Sequence, residues 1–515
     1  MGSKDLVLIL VLYHFIATSE PARILAALPI PMPSHQMVFR VLMQELVKRG
    51  HHVTVITALP SYPDGQAPVN YTEINVQQVI EVLRTNLLTE QLKISDDLVS
   101  QFASTFRTCV DINDKLFGME IIQNFIRNTE STYFDLIFVE DSLKSSLIFS
   151  HIFKAPVIHL SSFGGTFETF EAVGAPTHPF LYPLAIRQRY SDLSVWEKLV
   201  ELYVEYRLQK VYHEHEMMDN DIFKKYFGIN APTIDNLKKN IDMIFLNIHP
   251  IWDSNRPVPP NVIYLGGLHQ KAQQELPKEL KSSLDSSTNG VIYVSFGTNV
   301  NPSLLPPEKL QIFINAFSEL PYDVYWKWND ENLPGLSENI KILNWFPQSD
   351  LLRHPKVKLF ITQGGLHSTD EAIVGGVPLI GIPMMWDQWY NVNKYVQLKI
   401  GLQLDINFIT ENELREAIQS VIKDKRYKEN IIKLNSVMRD QLQSPLERAV
   451  WWTEHVIHNR GANHLRAPSA DLTWAEYYEV KLIVVLMISL VSMLVILTLI
   501  TLRILRLCKS KIKTD

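Results

Sequence analysis

The stretch TQGGLHSTDEA, Thr362 to Ala372, is the part of the sequence best suited to binding an anion. It follows a short apolar run, VKLFI, which predicts a buried strand, and its glycine pair, Gly364 and Gly365, precedes a helix that we expect to begin near Ser368. Glycines let a bound group approach the backbone, and the free N–H groups and dipole of a helix N-terminus favour negative charge. The side-chain donors beside the pair are Gln363, His367 and Ser368. The stretch therefore predicts a diphosphate site.

Polar and aromatic residues and one glycine follow other predicted strands in the second half of the chain. They are Ser295, Gly297, Thr298, Trp345 and Gln348. A tryptophan ring can stack on a base, and a glutamine amide can pair with the edge of a base. Glu371 would repel a diphosphate, so we expect it to face a hydroxylated group such as a ribose. Asp387 and Gln388 form an acid–amide pair suited to sugar hydroxyl groups.

The segment from Trp345 to Gln388 resembles the donor-binding signature of the family 1 UDP-glycosyltransferases. That signature runs W-x-P-Q, T-[HQ]-G-G, S/G-x-x-E-A, G-x-P and D-Q, and all five parts occur here in order. The resemblance extends to the N-terminal leader, the SHQ, GGLH and SFGT loops and the C-terminal apolar span, so it covers nearly the whole chain. The chain resembles the membrane-bound insect members of this family. Many relatives have histidine where this chain has Gln363, which donates a hydrogen bond but carries no charge.

The resemblance implies a GT-B fold, in which two Rossmann-like, doubly wound α/β domains face a cleft. It implies inverting transfer of a hexose from a UDP-sugar to a hydroxyl group of a small lipophilic acceptor, without a metal or a permanently bound cofactor. Trp345 and Gln348 would hold uracil, and Glu371 would hold the ribose. Asp387 and Gln388 would bind the transferred sugar. The residues around the diphosphate would be Thr298, Gln363, Gly365, His367 and Ser368.

A histidine in the first half lies where this family has its general base. It is His35, in the predicted loop PMPSHQ after the first strand, ARILAAL. An imidazole with a pKa near ~6.5 is suited to deprotonating an alcohol or phenol. The family places a carboxylate partner after the strand that begins Phe134-Asp135; counting along that strand reaches Glu140, with Asp141 as the alternative.

Other functions have weaker support in the sequence. GxGxxG and GxxxxGK[ST] are both absent, so the nicotinamide and P-loop fingerprints are missing. His213 and His215 are two residues apart on a predicted helix, so they point to different faces and do not form a metal site. A non-catalytic carrier on the same fold would be expected to lose either His35 or the Asp387–Gln388 pair, and both are present.

The donor sugar and the acceptor are less closely determined. The loop from Gly381 to Asn391 has no Lys or Arg, which favours glucose over glucuronate, although Arg256 could reach in from elsewhere. Residues 60–125 and 163–215 are predicted to line the acceptor pocket. Their aromatic residues include Phe163, Phe167, Phe170, Phe180, Tyr182 and Tyr190, which suit a flat lipophilic guest or form part of the core.

Alternating strand and helix patterns predict two α/β domains that position these residues. The chain has 515 residues, of which 46% are hydrophobic and 20% charged, and its net charge of −6 has no long single-sign run in the globular part. That composition argues against nucleic-acid binding. The predicted parts are an acceptor-binding domain (20–269), a polar linker (270–288), a UDP-sugar-binding domain (289–440) and C-terminal helices with a membrane-proximal segment (441–480).

The two ends of the chain have targeting and membrane patterns. Residues 1–19 combine Lys4, an apolar run and small residues, as a signal peptide does. Residues 481–503 include 21 uncharged residues, Leu482 to Leu502, long enough to cross a bilayer and contact its lipid. The basic tail, 504–515, predicts a cytoplasmic C-terminus and a luminal body, a single-pass type I topology. Lys511 and Lys513 match a dilysine retrieval signal of the endoplasmic reticulum, with a plain basic tail as the alternative.

Neither cysteine predicts a disulfide bond. Cys109 would be luminal and Cys508 cytoplasmic, so they cannot pair across the membrane, and Cys508 is either acylated or an unmodified thiol. Asn70-Tyr71-Thr72 is the usable glycosylation sequon, since a proline excludes Asn301-Pro302-Ser303.

Overall fold

The structure is a computed structural model that describes residues 21–63, 65–91, 97–188, 190–298, 305–330, 333 and 335–512. The predicted signal peptide, 1–19, and Lys513 of the predicted retrieval signal lie outside the described residues.

The first half of the chain forms a parallel sheet. Its strands are β1 (Arg23–Leu28), β2 (His52–Thr57), β3 (Tyr71–Asn75), β4 (Leu136–Glu140), β5 (Val157–Ser161), β6 (Ile241–Leu246) and β7 (Val262–Tyr264). The order across the sheet is β3-β2-β1-β4-β5-β6-β7, so the direction of winding reverses between β1 and β4. Alternate residues of β1 and β4 enter two different hydrophobic clusters, because successive side chains of a strand point to opposite faces. Both faces are therefore buried under helices, as parallel sheets require.

The helices of this half cover both faces of the sheet. They are α1 (Pro33–Lys48), α2 (Val79–Gln91), α3 (Leu98–Gly118), α4 (Glu120–Asn128), α5 (Ile148–Phe153), α6 (Phe167–Glu171), α7 (Val195–Phe227) and α8 (Ile234–Lys238). The helix α1 begins at Pro33, so His35 lies in its first turn rather than in the predicted loop. Proline suits this position because its fixed φ is helical and its missing N–H would have no partner there.

The second half forms a smaller parallel sheet of the same kind. Its strands are β8 (Val291–Ser295), β9 (Asp323–Lys327), β10 (Ile340–Leu343), β11 (Val357–Thr362), β12 (Leu379–Gly381) and β13 (Gly401–Gln403). The order is β10-β9-β8-β11-β12-β13, and the winding reverses between β8 and β11. Ligands bind at such reversal points in open α/β sheets, beyond the carboxyl ends of the strands.

Helices connect these strands and continue to the C-terminus. They are α9 (Lys278–Asp285), α10 (Pro307–Ser318), α11 (Gln348–Leu352), α12 (Leu366–Gly375), α13 (Gln388–Gln397), α14 (Glu411–Lys423), α15 (Lys425–Arg439), α16 (Pro445–Asn459), α17 (Trp474–Tyr477) and α18 (Val480–Ile512). The segment predicted as a linker contains α9, whose Leu284 is buried. The helix after the glycine pair begins at Leu366, two residues before the predicted start at Ser368, because Gly365 takes the extended conformation of an N-cap residue.

The helix α16 returns to the first half of the chain. Ala449, Val450 and Val456 of α16 belong to the hydrophobic cluster that contains Leu42 and Leu46 of α1. Beyond the helix, the Ala462 backbone N–H donates to Asp242 Oδ1 at 2.7 Å. The first domain is therefore built from two separate stretches of the chain.

The last helix, α18, is long and apolar enough to cross a membrane. The most apolar stretch of 18 residues in this helix has a mean hydropathy of 3.1, and none of that stretch is buried in the structure.

Candidate functional site

The reversal point of the first sheet carries a histidine–glutamate pair. His35 lies just after β1, and Glu140 is the last residue of the neighbouring strand β4. His35 Nδ1 lies 2.7 Å from Glu140 Oε1. Burial raises the pKa of Glu140, and the hydrogen bond with His35 opposes that shift. Because Nδ1 is held by the carboxylate, Nε2 is the ring atom that can exchange a proton with a substrate.

The adjacent carboxyl group, Asp141, points elsewhere. Its oxygens accept hydrogen bonds from Thr169 Oγ1 at 2.7 and 2.8 Å, and its Oδ1 lies 3.1 Å from Nδ1 of His159. Burial acts to raise the pKa of Asp141, but these contacts outweigh it and hold the pKa below its usual value. Of the two predicted partners of His35, the geometry selects Glu140 and gives Asp141 a structural contact inside the domain.

The ring of His35 lies in an aromatic surround. It makes edge contacts with Phe39 of α1, at 6.3 Å between centroids, and with Phe163, at 5.9 Å. Phe163, one of the aromatic residues predicted to line the acceptor pocket, thus contacts the histidine. Phe170 is fully buried and contributes to the core.

The reversal point of the second sheet carries the glycine loops. Gly297 has φ +74° and Gly364 has φ +93°, a region that glycine enters without strain. A Cβ atom on Gly297 would lie 2.3 Å from Nε2 of Gln363, so the glutamine amide lies directly against this loop. Gln363 Oε1 is buried and meets no hydrogen-bond donor within the described part of the chain. The two predicted loops therefore meet around the Gln363 side chain.

A lysine that the sequence analysis did not single out joins this loop to the predicted base-stacking residue. Lys327, the last residue of β9, donates through Nζ to the Gly297 carbonyl at 2.9 Å. The same nitrogen lies 5.1 Å from the ring centroid of Trp345. The Trp345 side chain is 69% exposed, which leaves its ring open to a stacking partner. A cation at the end of a central strand was the signal that could have identified Lys327.

Both polar groups of the Gln348 side chain form hydrogen bonds within the protein. Its Nε2 donates to Glu371 Oε2 at 2.6 Å and to Ser368 Oγ at 3.0 Å, and its Oε1 accepts from the Tyr293 hydroxyl at 3.0 Å. Burial raises the pKa of Glu371, and the hydrogen bond from Gln348 opposes the shift. The structure therefore brings together the residues predicted for uracil and ribose, and it uses Gln348 to orient Glu371.

The predicted sugar-binding pair lies at the start of α13. Asp387 Oδ2 accepts from Asn391 Nδ2 at 2.8 Å, and burial raises the pKa of Asp387 to about 6. Gln388 Oε1 accepts from the backbone N–H groups of Met384 and Met385 at 2.9 and 3.0 Å. The oxygen of Gln388 is therefore used within the loop, and its amide nitrogen remains the group suited to a sugar hydroxyl.

Asn391 connects the Asp387–Gln388 pair to the glycine loop at Gly364 and to the first domain. Sequence reasoning missed this residue. Its Nδ2 also donates to the Gly364 carbonyl at 2.9 Å, and its Oδ1 accepts from Nε1 of Trp252 at 2.8 Å. Its place four residues after Asp387, on the same face of a helix, was the available signal.

The side chain of His367 extends from the second domain across the cleft to the first domain. Its Nε2 lies 2.9 Å from the Ser162 carbonyl, and its ring stacks on His269 with 4.4 Å between centroids. Burial lowers the pKa of His367 to about 4, so the ring is neutral near pH 7. A neutral ring that donates from Nε2 to a carbonyl has no second N–H for a phosphate. The predicted diphosphate contact of His367 is thus limited to its backbone N–H.

The comparisons with known proteins agree with this two-domain arrangement. The family model described as "UDP-glucoronosyl and UDP-glucosyl transferase" matches residues 25–514. The chain is 36% identical over 502 residues to an ecdysteroid UDP-glucosyltransferase of Spodoptera littoralis nuclear polyhedrosis virus, covering 94% of this chain and 97% of that one. It is 31% identical over 484 residues to UDP-glucosyltransferase 2 of Dactylopius coccus, covering 93% of each chain.

Solved structures with the same GT-B fold share little sequence with this chain. The calicheamicin glycosyltransferase CalG4 matches with a TM-score of 0.56 at 15% identity, over 85% of this chain and 99% of that one. The glycosyltransferase VinC in complex with dTDP matches with a TM-score of 0.57 at 15% identity, over 85% of this chain and all of that one.

Proposed function

Because the chain belongs to the UDP-glucuronosyl and UDP-glucosyl transferase family, we propose that it moves glucose from UDP-glucose to a hydroxyl group of a small lipophilic acceptor. The observation that carries this proposal is the His35–Glu140 pair at the reversal point of the first sheet. The His35 side chain keeps 14% exposure and can meet a substrate, whereas the His159 side chain beside Asp141 is fully buried.

The proposed reaction is a single displacement that inverts the anomeric carbon. His35 Nε2 takes the proton of the acceptor hydroxyl group as the acceptor oxygen bonds to the anomeric carbon. The bond from that carbon to the diphosphate breaks, and its electron pair leaves with UDP. Glu140 stabilises the imidazolium that forms, and the helix N-terminus at Gly365 stabilises the charge on the departing diphosphate.

Each residue of the second domain is assigned to the part of the UDP-sugar that its contacts suit. Trp345 stacks on uracil, Glu371 accepts from the ribose hydroxyl groups, and the loops at Gly297 and Gly364 surround the diphosphate. Lys327 adds a positive charge between base and diphosphate, since it contacts both Trp345 and the Gly297 carbonyl. Asp387 and the amide nitrogen of Gln388 bind the sugar.

Glucose fits this site better than glucuronate because the arginine that could have paired with a carboxylate is occupied. Arg256 is buried, pairs with Asp253, and donates to the carbonyls of Pro176 and Tyr182 at 3.0 and 2.8 Å. Its guanidinium also covers the Phe170 ring at 3.9 Å. The relatives described above are UDP-glucosyltransferases by name, which supports the same donor.

The test is to offer membranes containing the full chain a panel of phenols, steroids and ecdysteroids with UDP-glucose or UDP-glucuronate, and to detect conjugates by mass. Membranes containing the His35→Ala variant are the control. Conjugates that form with UDP-glucose and depend on His35 would support the proposal. Preferred use of UDP-glucuronate would contradict the choice of donor, and binding of acceptors without any conjugate would favour a carrier.

The proposed location is the endoplasmic reticulum membrane. A removed signal peptide would bring the body into the lumen, α18 would anchor it, and Lys511 with Lys513 would retrieve it. Asn70 is the proposed glycosylation site; its Nδ2 donates to the carbonyls of Val47 and His51 at 2.9 and 2.8 Å, and a glycan on Nδ2 would leave one of these two hydrogen bonds.

A further inference from the structure

The first three turns of α7 expose an apolar face. On a helix of 3.6 residues per turn, Trp196, Leu199, Tyr203 and Tyr206 fall on one side. Their exposed fractions are 73, 54, 61 and 64%. The neighbouring exposed residues Val195, Val200 and Leu202 widen this side. We name Trp196, Leu199, Tyr203 and Tyr206 the outer face of α7.

The opposite side of the helix is packed and holds the acidic residues nearby. Leu208 and Tyr212 are buried. Glu201 and Glu205 pair with the buried guanidinium of Arg187, at 3.3 and 2.9 Å. With these two acids facing inward, the charges that border the outer face are Lys198 and, further along the helix, the Lys210–Glu214 pair at 3.8 Å. A large apolar surface without acids at its centre is the mark of a contact surface rather than of a solvated one.

The outer face belongs to the part of the body that is tied to the membrane anchor. Ser469, eleven residues before α18, donates through Oγ to the Gly174 carbonyl at 3.0 Å. The loop that begins at Gly174 continues to Arg187, which fastens it to α7 through the Glu201 carbonyl at 2.9 Å. An extended chain spans at most ~3.3–3.6 Å per residue. The eleven residues from Ser469 to the start of α18 therefore place the membrane surface within about 40 Å of Gly174.

The residue types on this face favour contact with the bilayer interface. Tryptophan and tyrosine favour the boundary between head groups and acyl chains because their rings are apolar and their N–H and O–H groups stay hydrated. Exposed aromatic residues of the same kind, Tyr477 and Tyr478, lie directly before α18. Lysines beside such a face reach back to the head groups.

We propose that the outer face of α7 lies in the bilayer interface of the membrane that α18 spans, as a second point of attachment. The apolar side chains enter the boundary to about 5–10 Å, as interfacial helices do. The proposal rests on the proposed span. Its consequence is that the first domain is oriented against the lipid in which a lipophilic acceptor dissolves.

The test places single nitroxide labels on the full chain in lipid nanodiscs. The background carries Cys508→Ser; Cys109 stays unlabelled because it is buried and burial raises its pKa to about 12. Labels go at Leu199→Cys and Tyr203→Cys, with Phe408→Cys as a matched control, since Phe408 is 78% exposed on the second domain. Leu494→Cys reports on the span. Collision rates are measured with oxygen, which concentrates in the bilayer, and with a water-soluble nickel chelate.

We expect the oxygen-to-nickel collision ratio at the two α7 sites to be several-fold above that at the Phe408 site and below that at the Leu494 site. A ratio at α7 equal to that of the control overturns the proposal, while a lipid-like Leu494 site leaves the span intact. Shielding of the α7 sites from both reagents overturns it in favour of a protein partner, such as a second copy. A water-exposed Leu494 site removes the span and this proposal together.

Discussion

At the scale of single residues, the two neighbouring carboxyl groups at the end of β4 have different partners. Glu140 meets His35, whereas Asp141 meets His159 and Thr169. The pKa of Glu140 is raised by burial, and the pKa of Asp141 is lowered because its contacts outweigh its burial. The difference predicts that substitutions at the two positions have different effects on the reaction.

His35→Ala should lower turnover roughly 10²–10⁴-fold on an unactivated alcohol, the size of a general-base effect. Glu140→Gln should also lower turnover, because an amide that donates to Nδ1 leaves the proton on Nε2 and the ring in the wrong tautomer. Steady-state kinetics measures both, and calorimetry with UDP should show unchanged affinity. Wild-type turnover in His35→Ala would remove the proposed base.

Gln363→Ala should weaken UDP binding by about 10–150-fold, since a hydrogen bond to a charged group contributes roughly 1.5–3 kcal/mol. Gln363→His should bind as well as the parent, and more tightly below about pH 6.5, where the ring gains charge. Calorimetry at two pH values measures this, with Gln311→Ala, an exposed glutamine on α10, as the control. Equal affinity of Gln363→Ala and the parent would place the amide away from the phosphates.

Asp387→Asn should stabilise the fold at pH 7.5 while it impairs donor use. The pKa of Asp387 is raised from 3.8 to about 6 in the folded chain. Its contribution to stability is therefore fully present below pH 3.8 and is lost as pH rises to about 6. A neutral amide avoids this loss, which is about 1–3 kcal/mol. Thermal unfolding from pH 4 to 8 should show the advantage of the variant growing with pH; a constant difference would contradict the shift.

At the scale of elements, the return of α16 to the first domain depends on a glycine. Gly461 has φ +127°, and a Cβ atom there would lie 2.7 Å from Asp242 Oδ1. Asp242 joins three elements, because it also accepts from the Val157 backbone N–H at 3.0 Å through Oδ2. The end of α16 is thus held against β5 and β6 by one carboxyl group.

Gly461→Ala should loosen α16, because the methyl group collides with Asp242 in addition to the strain of positive φ, about 1–2 kcal/mol. Gly50→Ala is the matched control: Gly50 has φ +97° but nothing within 4 Å of its added Cβ. The melting temperature should fall further for Gly461→Ala, and protease should cut the exposed chain near Leu442 more readily. Equal falls in melting temperature for both variants would show that backbone strain alone accounts for the destabilisation.

At the scale of the whole molecule, the orientation in the membrane can be tested without Asn70. Phe408→Asn creates a sequon at an exposed position, since Phe408 is 78% exposed and is followed by Ile409 and Thr410. In cells this variant should gain a glycan that a glycosidase removes, whereas Phe408→Gln should not. In sealed microsomes the body should also resist protease until detergent is added. Absence of a glycan on the Phe408→Asn variant would oppose a luminal body.

Much of the fold could be predicted from the sequence because the buried parallel strands are continuous apolar runs. The short edge strands β3 and β13 were missed, since Tyr71–Asn75 has only two apolar residues, Tyr71 and Ile74, and Gly401–Gln403 is three residues long. Motifs predicted the residues of the candidate site, but the direction of their side chains was not readable. Which of Glu140 and Asp141 faces His35 depends on the face of β4 that each residue takes, and the commitment of His367 to Ser162 depends on how the domains meet.

The return of α16 also has a consequence for biosynthesis. The first domain lacks part of its core until residue 462 has been made, although its last strand, β7, ends at Tyr264. At ~5–20 residues per second, the ribosome needs roughly 10–40 s to cover that interval. During this time the surface of α1 that α16 will cover stays open to chaperones, and the nascent second domain must fold first or alongside. The chain therefore completes its N-terminal domain last, just before the apolar span leaves the ribosome.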